Sequence, residues 1–528
     1  MKKILLFFAV LTVTATAMAQ DLPPQLLKLM YTGNIISRFY VDEPDDDKIV
    51  SAGITAMLKE LDPHSTYTNP EDTKALMEQM QGSFGGIGIQ FNIVRDTLYV
   101  IQTTKGGPSE RAGILAGDRI ITVNDTAIAG VKMERDDIVS SLRGEKGTTL
   151  TVKVLRRGVA NPLIFTLTRD DIPTETVDAA YMIDKKNAYI RITSFGARTH
   201  EEFVAKLDSL KKCGMKNLIL DLEGNGGGYL NAAVEIANEF LSESRLVVYT
   251  EGRSNPRYDY LSMGGGRFRN GNIVVMIDET SASASEILAG AIQDWDRGII
   301  VGRRSFGKGL VQRPFELPDG SMIRLTIARY YTPSGRCIQK PYDNDSLKYE
   351  DDINNRYYSG ELTSADSIHF ADSLMTKTLR LGRTVYGGGG IMPDYFVALD
   401  TTKYTKYHRA LSTKGCIIQA ALLYLDNHRK EILDTYSNIT DFDKRFQVDE
   451  EYLRILQELA DEAEIKPEGD EEYQRSLPAL KEQMKQFLAR DLWNMSDFMM
   501  LYNNTSDTFK KAYELVQQRD QDKLMLGR

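Results

Sequence analysis

Apolar and polar positions change their rhythm three times along this chain. From about residue 20 to 81 the spacing is helical and polar, interrupted by Leu61-Asp-Pro-His-Ser-Thr-Tyr67. Over 82–172 it shortens to period-two segments, Gly88–Val94, Thr97–Thr103, Arg119–Val123, Thr149–Arg156 and Leu163–Thr168. Glycine and aspartate punctuate them, so they predict strands, with one helical pattern at Glu134–Leu142. Over 173–400 compact runs rich in Ile, Leu and Val, Asn217–Leu222 and Asn272–Asp278, lead into helical patterns at Leu230–Leu241 and Ser285–Trp295. Alternation of that kind predicts an α/β layer. Asn344–Ser373 reads as a polar insertion in it. Beyond 400 the pattern is helical and charged, with Ile417–Leu425 as an apolar core run, and predicts a helical cap or assembly domain. The expected division is therefore 20–81, 82–172, 173–400 and 401–528.

Composition adds a compartment and removes several function classes. Lys2 and Lys3 precede an apolar run from Ile4 to Val13, and Ala17-Met-Ala19 completes an A-x-A cleavage site. Residues 1–19 thus read as a secretory signal, and the mature protein is expected to be exported, to the periplasm, without membrane insertion. Net charge is −9, and the signal carries two lysines and no acid, so the mature chain is more acidic still. That balance argues against nucleic acid. Cys213, Cys337 and Cys416 allow at most one bridge, and buried free thiols are the expectation. The five histidines show no zinc spacing, so neither metal nor cofactor is expected. His64, after Pro63, reads as a turn residue.

The candidate chemistry sits in two neighbouring segments, Ser281-Ala-Ser-Ala-Ser285-Glu286 and Phe306-Gly-Lys308-Gly-Leu-Val-Gln312. A hydroxyl is a poor nucleophile until a base takes its proton, and lysine serves as that base when desolvation lowers its pKa. Two other readings compete. Ser283 with Glu286 fits a capping box before a helix, a role compatible with that of a nucleophile. Ser305-Phe-Gly-Lys308 is a literal S-x-x-K, but Gly307 and Gly309 disfavour the helix that motif needs, and no K-T-G occurs.

The stretch from Ser281 to Gln312, with LDPHSTY upstream and Gly387-Gly-Gly-Gly-Ile-Met-Pro393-Asp394 downstream, resembles the C-terminal processing peptidases. The resemblance spans roughly 30–395. It implies Ser283 as nucleophile, Lys308 as general base, Gln312 as the residue orienting the lysine, and the Gly227 and Ala284 N–H groups as the oxyanion hole. Glu223 departs from it, standing where the family usually has arginine. Pro108–Ile120 resembles PDZ domains, and Gly85-Gly86-Ile87-Gly88-Ile89 resembles their carboxylate-binding loop. Successive backbone N–H groups in such a turn can wrap a terminal carboxylate while the next strand pairs with the peptide. Asp125 departs from the glycine usual after Asn124.

The expected architecture is a multidomain α/β protein: a serine-peptidase core, a PDZ-like β-rich domain inserted in or preceding it, and helical N- and C-terminal regions. The expected function is an exported endopeptidase acting through an acyl-enzyme on proteins or peptides with free C-termini, with a homo-oligomer as a possible state. A non-catalytic peptide-binding scaffold is the contrasting class. Its signature would be substitution at Ser283, Lys308 or Gln312, and all three are present.

Overall fold

The structure, a computed structural model, describes residues 23–342, 349, 351–518 and 520–526. Residues 1–19, read as a signal, lie outside them, as does part of the polar insertion. The chain divides into two compact units. One comprises residues up to Glu71, Gln312–Thr326 and Tyr342–Tyr349; the other comprises Asp72–Val311, Ile327–Pro341 and Glu350 onward.

In the first unit, helices Pro24–Phe39 and Asp46–Lys59 precede strand Thr66–Thr68, which pairs antiparallel with Met322–Arg324. The Asp62 carboxylate holds the intervening turn, accepting from the N–H groups of His64 at 2.8 Å and Ser65 at 2.9 Å. His64 Nε2 lies 2.8 Å from the Tyr349 hydroxyl. It is a turn residue with a structural partner.

The second unit opens with the PDZ-like module. Strand β1 (Ser83–Gly86) pairs antiparallel with β7 (Asp170–Pro173), a stem through which the chain enters and leaves. Between them β2 (Ile89–Val94), β3 (Thr97–Thr103), β4 (Arg119–Val123), β5 (Thr149–Leu155) and β6 (Leu163–Thr168) lie side by side in that order, each antiparallel to the next. Helix α1 (Arg135–Leu142) turns Ile138 and Leu142 into the core that Leu98, Val100, Ile120, Val152 and Val154 build. Strand β2 ends the sheet. Asn124 and Asp125 both adopt left-handed backbone, φ 48° and 62°, which explains why glycine suits that turn. The Asp125 side chain meets Lys153.

The α/β core is a sheet ordered β8 (Ala179–Met182), β9 (Asn187–Arg191), β10 (Asn217–Asp221), β11 (Ile273–Ile277), β12 (Ile299–Gly302) and β13 (Tyr395–Phe396), parallel except between β8 and β9. Its strands read as unbroken apolar runs because both faces are covered. Ile190, Leu220 and Val275 point at helices α2 (Thr199–Lys212), α3 (Leu230–Asn238) and α4 (Ala284–Asp294). Their neighbours Tyr189, Ile219 and Val274 meet Met499, Phe509 and Leu515 from the far C-terminus.

The C-terminal region therefore plays two parts. Helices α5 (Cys416–Thr435) and α6 (Asp470–Leu492) share an apolar core that Leu501 of α7 (Met495–Thr505) joins, whereas Met499 of α7 and Phe509 and Leu515 of α8 (Asp507–Val516) cover the parallel sheet. The sequence reading of 401–528 as one cap or assembly domain differs here. Amphipathic spacing shows that a face is buried, not what buries it. The cysteines are all free, but only Cys416 is buried; Cys337 is intermediate and Cys213 exposed.

Candidate active site

Strand β11 ends at Ile277, and the chain must turn sharply to start α4. Ser283, the N-cap, takes φ 57° and ψ −112°, a conformation costly for any residue with a Cβ. The serines on either side explain how it is held. Ser281 Oγ donates to the Leu222 carbonyl at 2.8 Å and Ser285 Oγ to the Asn225 carbonyl at 2.9 Å, both fully buried. Ser283 alone of the three is partly exposed. Strain maintained by its surroundings on a small polar residue at a helix N-terminus is the signature of a functional turn.

Glu286 organises the site. Its buried carboxylate accepts from Ser283 N–H at 2.8 Å and Lys308 N–H at 2.9 Å, both on Oε2. On Oε1 it accepts from Ser305 Oγ at 2.6 Å and Gly307 N–H at 2.7 Å. One oxygen therefore grips the backbones of Ser283 and Lys308, which cannot be further apart than two hydrogen-bond lengths. Burial pushes this carboxyl up to about 7, opposed by the four hydrogen bonds that favour its ionised form. Tyr330, also buried, approaches the same two residues from the other side, its hydroxyl meeting the carbonyl oxygens of Ser283 at 3.1 Å and of Lys308.

These contacts dispose of the S-x-x-K reading. Ser305 is fully buried, gives its proton to Glu286 and accepts from Ile391 N–H at 2.6 Å. The segment carrying it and Lys308 is not helical.

The glycine-rich turn after β10 comes up against Ser283. A Cβ on Gly227 would lie 2.7 Å from that of Ser283 and 3.0 Å from Ala284 N, so only glycine fits there. Ala284 is the first residue of α4, where an N–H has no partner within the helix. Gly227 has partners of its own in the turn. Its N–H donates to Asn225 Oδ1 at 2.8 Å and its carbonyl accepts from Phe195 N–H at 2.9 Å. Asn225 is itself fixed, donating from Nδ2 to the Ile192 carbonyl and accepting from Ala282 N–H. Gly227 supplies room beside the serine; its N–H is already committed.

Glu223 is accounted for by its surroundings. Burial next to Asp221 and Asp278 pushes its carboxyl well up, with Arg303 acting in the opposite sense. It hydrogen-bonds Thr508, in the first turn of α8. An acid bonded to a C-terminal helix stands where the family resemblance led one to expect an arginine. Asp221, bonded by the Tyr189 hydroxyl, is raised to about 6, chiefly by burial.

Gln312 belongs to the first unit, where its Nε2 donates to Thr326 Oγ1 at 3.2 Å; Thr326 in turn donates to Asp62 at 3.0 Å. In the PDZ-like module Gly85 and Gly86 are strand residues of β1, Ile87 and Gly88 form the turn (Gly88 at φ 71°), and Ile89 opens β2. Sequence reasoning assigned Glu286 only a capping role and missed Asn225 and Tyr330. The capping-box spacing was the one available signal. Among the described residues no cluster of His, Cys, Asp and Glu suits a metal ion, and no helix is long and apolar enough to cross a membrane.

Comparison with known proteins bears on the whole arrangement. The model of peptidase family S41 matches residues 186–347, that of the PDZ domain 85–163, and that of a family of unknown function (DUF8443) 407–494. The carboxy-terminal-processing protease of Bartonella bacilliformis is 33% identical over 342 residues, 63% of this chain and 78% of that protein. The carboxy-terminal processing proteases CtpA and CtpB of Bacillus subtilis are 35% and 33% identical, over 59% and 62% of this chain and 66% and 68% of their own lengths. Identity of this order over most of the Bartonella protein shows that the chain belongs to peptidase family S41, the serine-type carboxy-terminal processing proteases, and carries a PDZ domain.

Proposed function

We propose that the chain is an exported endopeptidase in which Ser283 is the nucleophile and Lys308 its base. The observation that carries this reading is the shared Glu286 oxygen, which holds the backbone N–H groups of a strained, partly exposed serine and of a lysine on one atom at a helix N-terminus. Ser283 Oγ attacks the scissile carbonyl carbon while its proton passes to Lys308 Nζ. The tetrahedral intermediate collapses with cleavage of the C–N bond, and Lys308 returns the proton to the departing amine. Water then attacks the ester, again with Lys308 as base, and frees Ser283. Ala284 N–H serves the oxyanion, and Gly227 N–H joins it only as a bond shared with Asn225. Gln312, which the resemblance casts as the residue orienting the lysine, is held within its own unit by Thr326, itself bonded to Asp62.

The PDZ domain takes the free C-terminus of a protein substrate at the Gly85–Ile89 turn and adds the tail to the open edge of β2. The signal-like residues 1–19 are the support for an activity outside the cytoplasm, in the periplasm. The test is labelling of the mature enzyme with a fluorophosphonate, followed by peptide mapping. Modification of Ser283, lost with Lys308→Arg and retained with Ser305→Ala, supports the assignment; labelling of Ser305 overturns it.

A further inference from the structure

The peptide groove of the PDZ domain has a second wall from outside that domain. Between β2 and α1 lies a cavity of about 480 Å³. The domain contributes Ile87, Phe91 and Val139, and the C-terminal helices contribute Ile418, Arg490 and Met495. These come from α5, α6 and the first residue of α7. Their position is fixed by contacts elsewhere on the domain: Leu422 packs on Val94 and Ile101, Arg95 pairs with Glu462 at 2.6 Å, and Arg119 pairs with Asp426.

The groove is also cationic at its rim. Three guanidiniums line it, each over an aromatic ring: Arg135 over Phe91 at 5.0 Å, Arg143 over Phe84 at 4.3 Å, and Arg490 over Phe487 at 5.0 Å. Stacking holds a guanidinium flat and leaves its edge for oxygen ligands. Arg490 spends Nε and Nη2 on Asp491, and Arg143 has Glu78 at 3.7 Å. Arginines outnumber those carboxylates around an apolar floor.

Building on the proposed tail recognition, we infer that the C-terminal helices complete the peptide site, so that it selects extended tails with an apolar last residue and acidic side chains upstream. Arg490 reads the acid, and Ile418 and Met495 cover the apolar residues. The helical domain is thus a specificity element of the protease.

Binding to the full-length mature chain carrying Ser283→Ala tests this by fluorescence anisotropy. Four labelled decapeptides are used, ending in the same apolar residue, with glutamate or glutamine upstream, each as free acid or amide. The glutamate free acid binds tightest. Arg490→Gln weakens it about five-fold, leaves the glutamine peptide unchanged, and Arg490→Lys restores most of the preference. Ile418→Asp or Met495→Asp weakens both free acids. An unaltered glutamate preference in Arg490→Gln overturns the inference, as does tighter binding by the Ile418 or Met495 variant, which would make the helices a lid. Equal binding of acids and amides by the parent chain overturns tail recognition itself, and is distinguished because no helical-domain variant is involved. Melting curves confirm that each variant is folded.

Discussion

The Ser283 turn and the PDZ groove solve opposite problems. Around Ser283 nearly every polar group is buried and committed: Ser281, Ser285, Ser305, Asn225 and Glu286 each bond to named partners, and of the four serines only the strained Ser283 is not buried. The groove has an open strand edge, an apolar floor and stacked arginines drawn from two regions of the chain. Chemistry needs atoms placed to a fraction of an ångström, which buried hydrogen bonds enforce. Recognition needs surface that adapts to many tails, which apolar contact and stacked cations provide.

If that contrast holds, damage to the turn lowers kcat and damage to the groove raises KM. The largest effect is expected from Ser283→Ala or Lys308→Arg, with cleavage falling about 10⁴-fold or more in a quenched-peptide assay. Arginine fails because it cannot be deprotonated. Ser305→Ala, which removes a buried structural hydroxyl, retains substantial turnover while costing about 1–3 kcal/mol of stability in denaturant titration.

Glu286→Gln comes next. An amide cannot accept from four donors, so the Ser283 and Lys308 backbones part; kcat drops roughly 100-fold with KM little changed. Equal loss in KM would place Glu286 in binding instead. Amidating the substrate's C-terminus acts on the other side of the comparison. It removes a charge worth about 1.5–3 kcal/mol of hydrogen bonding, so kcat/KM falls roughly 10- to 100-fold, whereas blocking the N-terminus does nothing comparable.

The smallest expected effect is on stability against pH. Glu286 and Asp221 hold their protons to about 7 and about 6 in the fold, above the 4.5 and 3.8 of free carboxyls. Between those values the folded chain binds more protons than the unfolded one, so this contribution is present at low pH and lost as pH rises through the folded values. The melting midpoint at pH 8 should lie about 2–4 °C below that at pH 5.5. Glu286→Gln should flatten the upper half of that slope.

The elements that proved legible are those whose rhythm is local. The strands of the PDZ domain, β10 and β11, and the helices after them fall within a few residues of their predicted ends, because period-two and buried-run patterns report burial directly. Ser283 and Lys308 were legible as motifs. Glu286 looked like a cap because its bond to Ser283 is local, while its bonds to Ser305, Gly307 and Lys308 cross about twenty residues that no spacing rule connects.

By itself, then, the sequence determined the residue types at the Ser283 turn, the glycine needed beside it and the order of the domains, all set by short-range sterics and burial. Only the tertiary structure decided the rest. It paired Gly227 N–H with Asn225, set Glu223 against α8, placed α7 and α8 on the parallel sheet, and stood Arg490 beside the PDZ groove. Each of these joins segments distant in the chain, and their pairing is fixed by which buried surfaces and polar groups satisfy one another once packed.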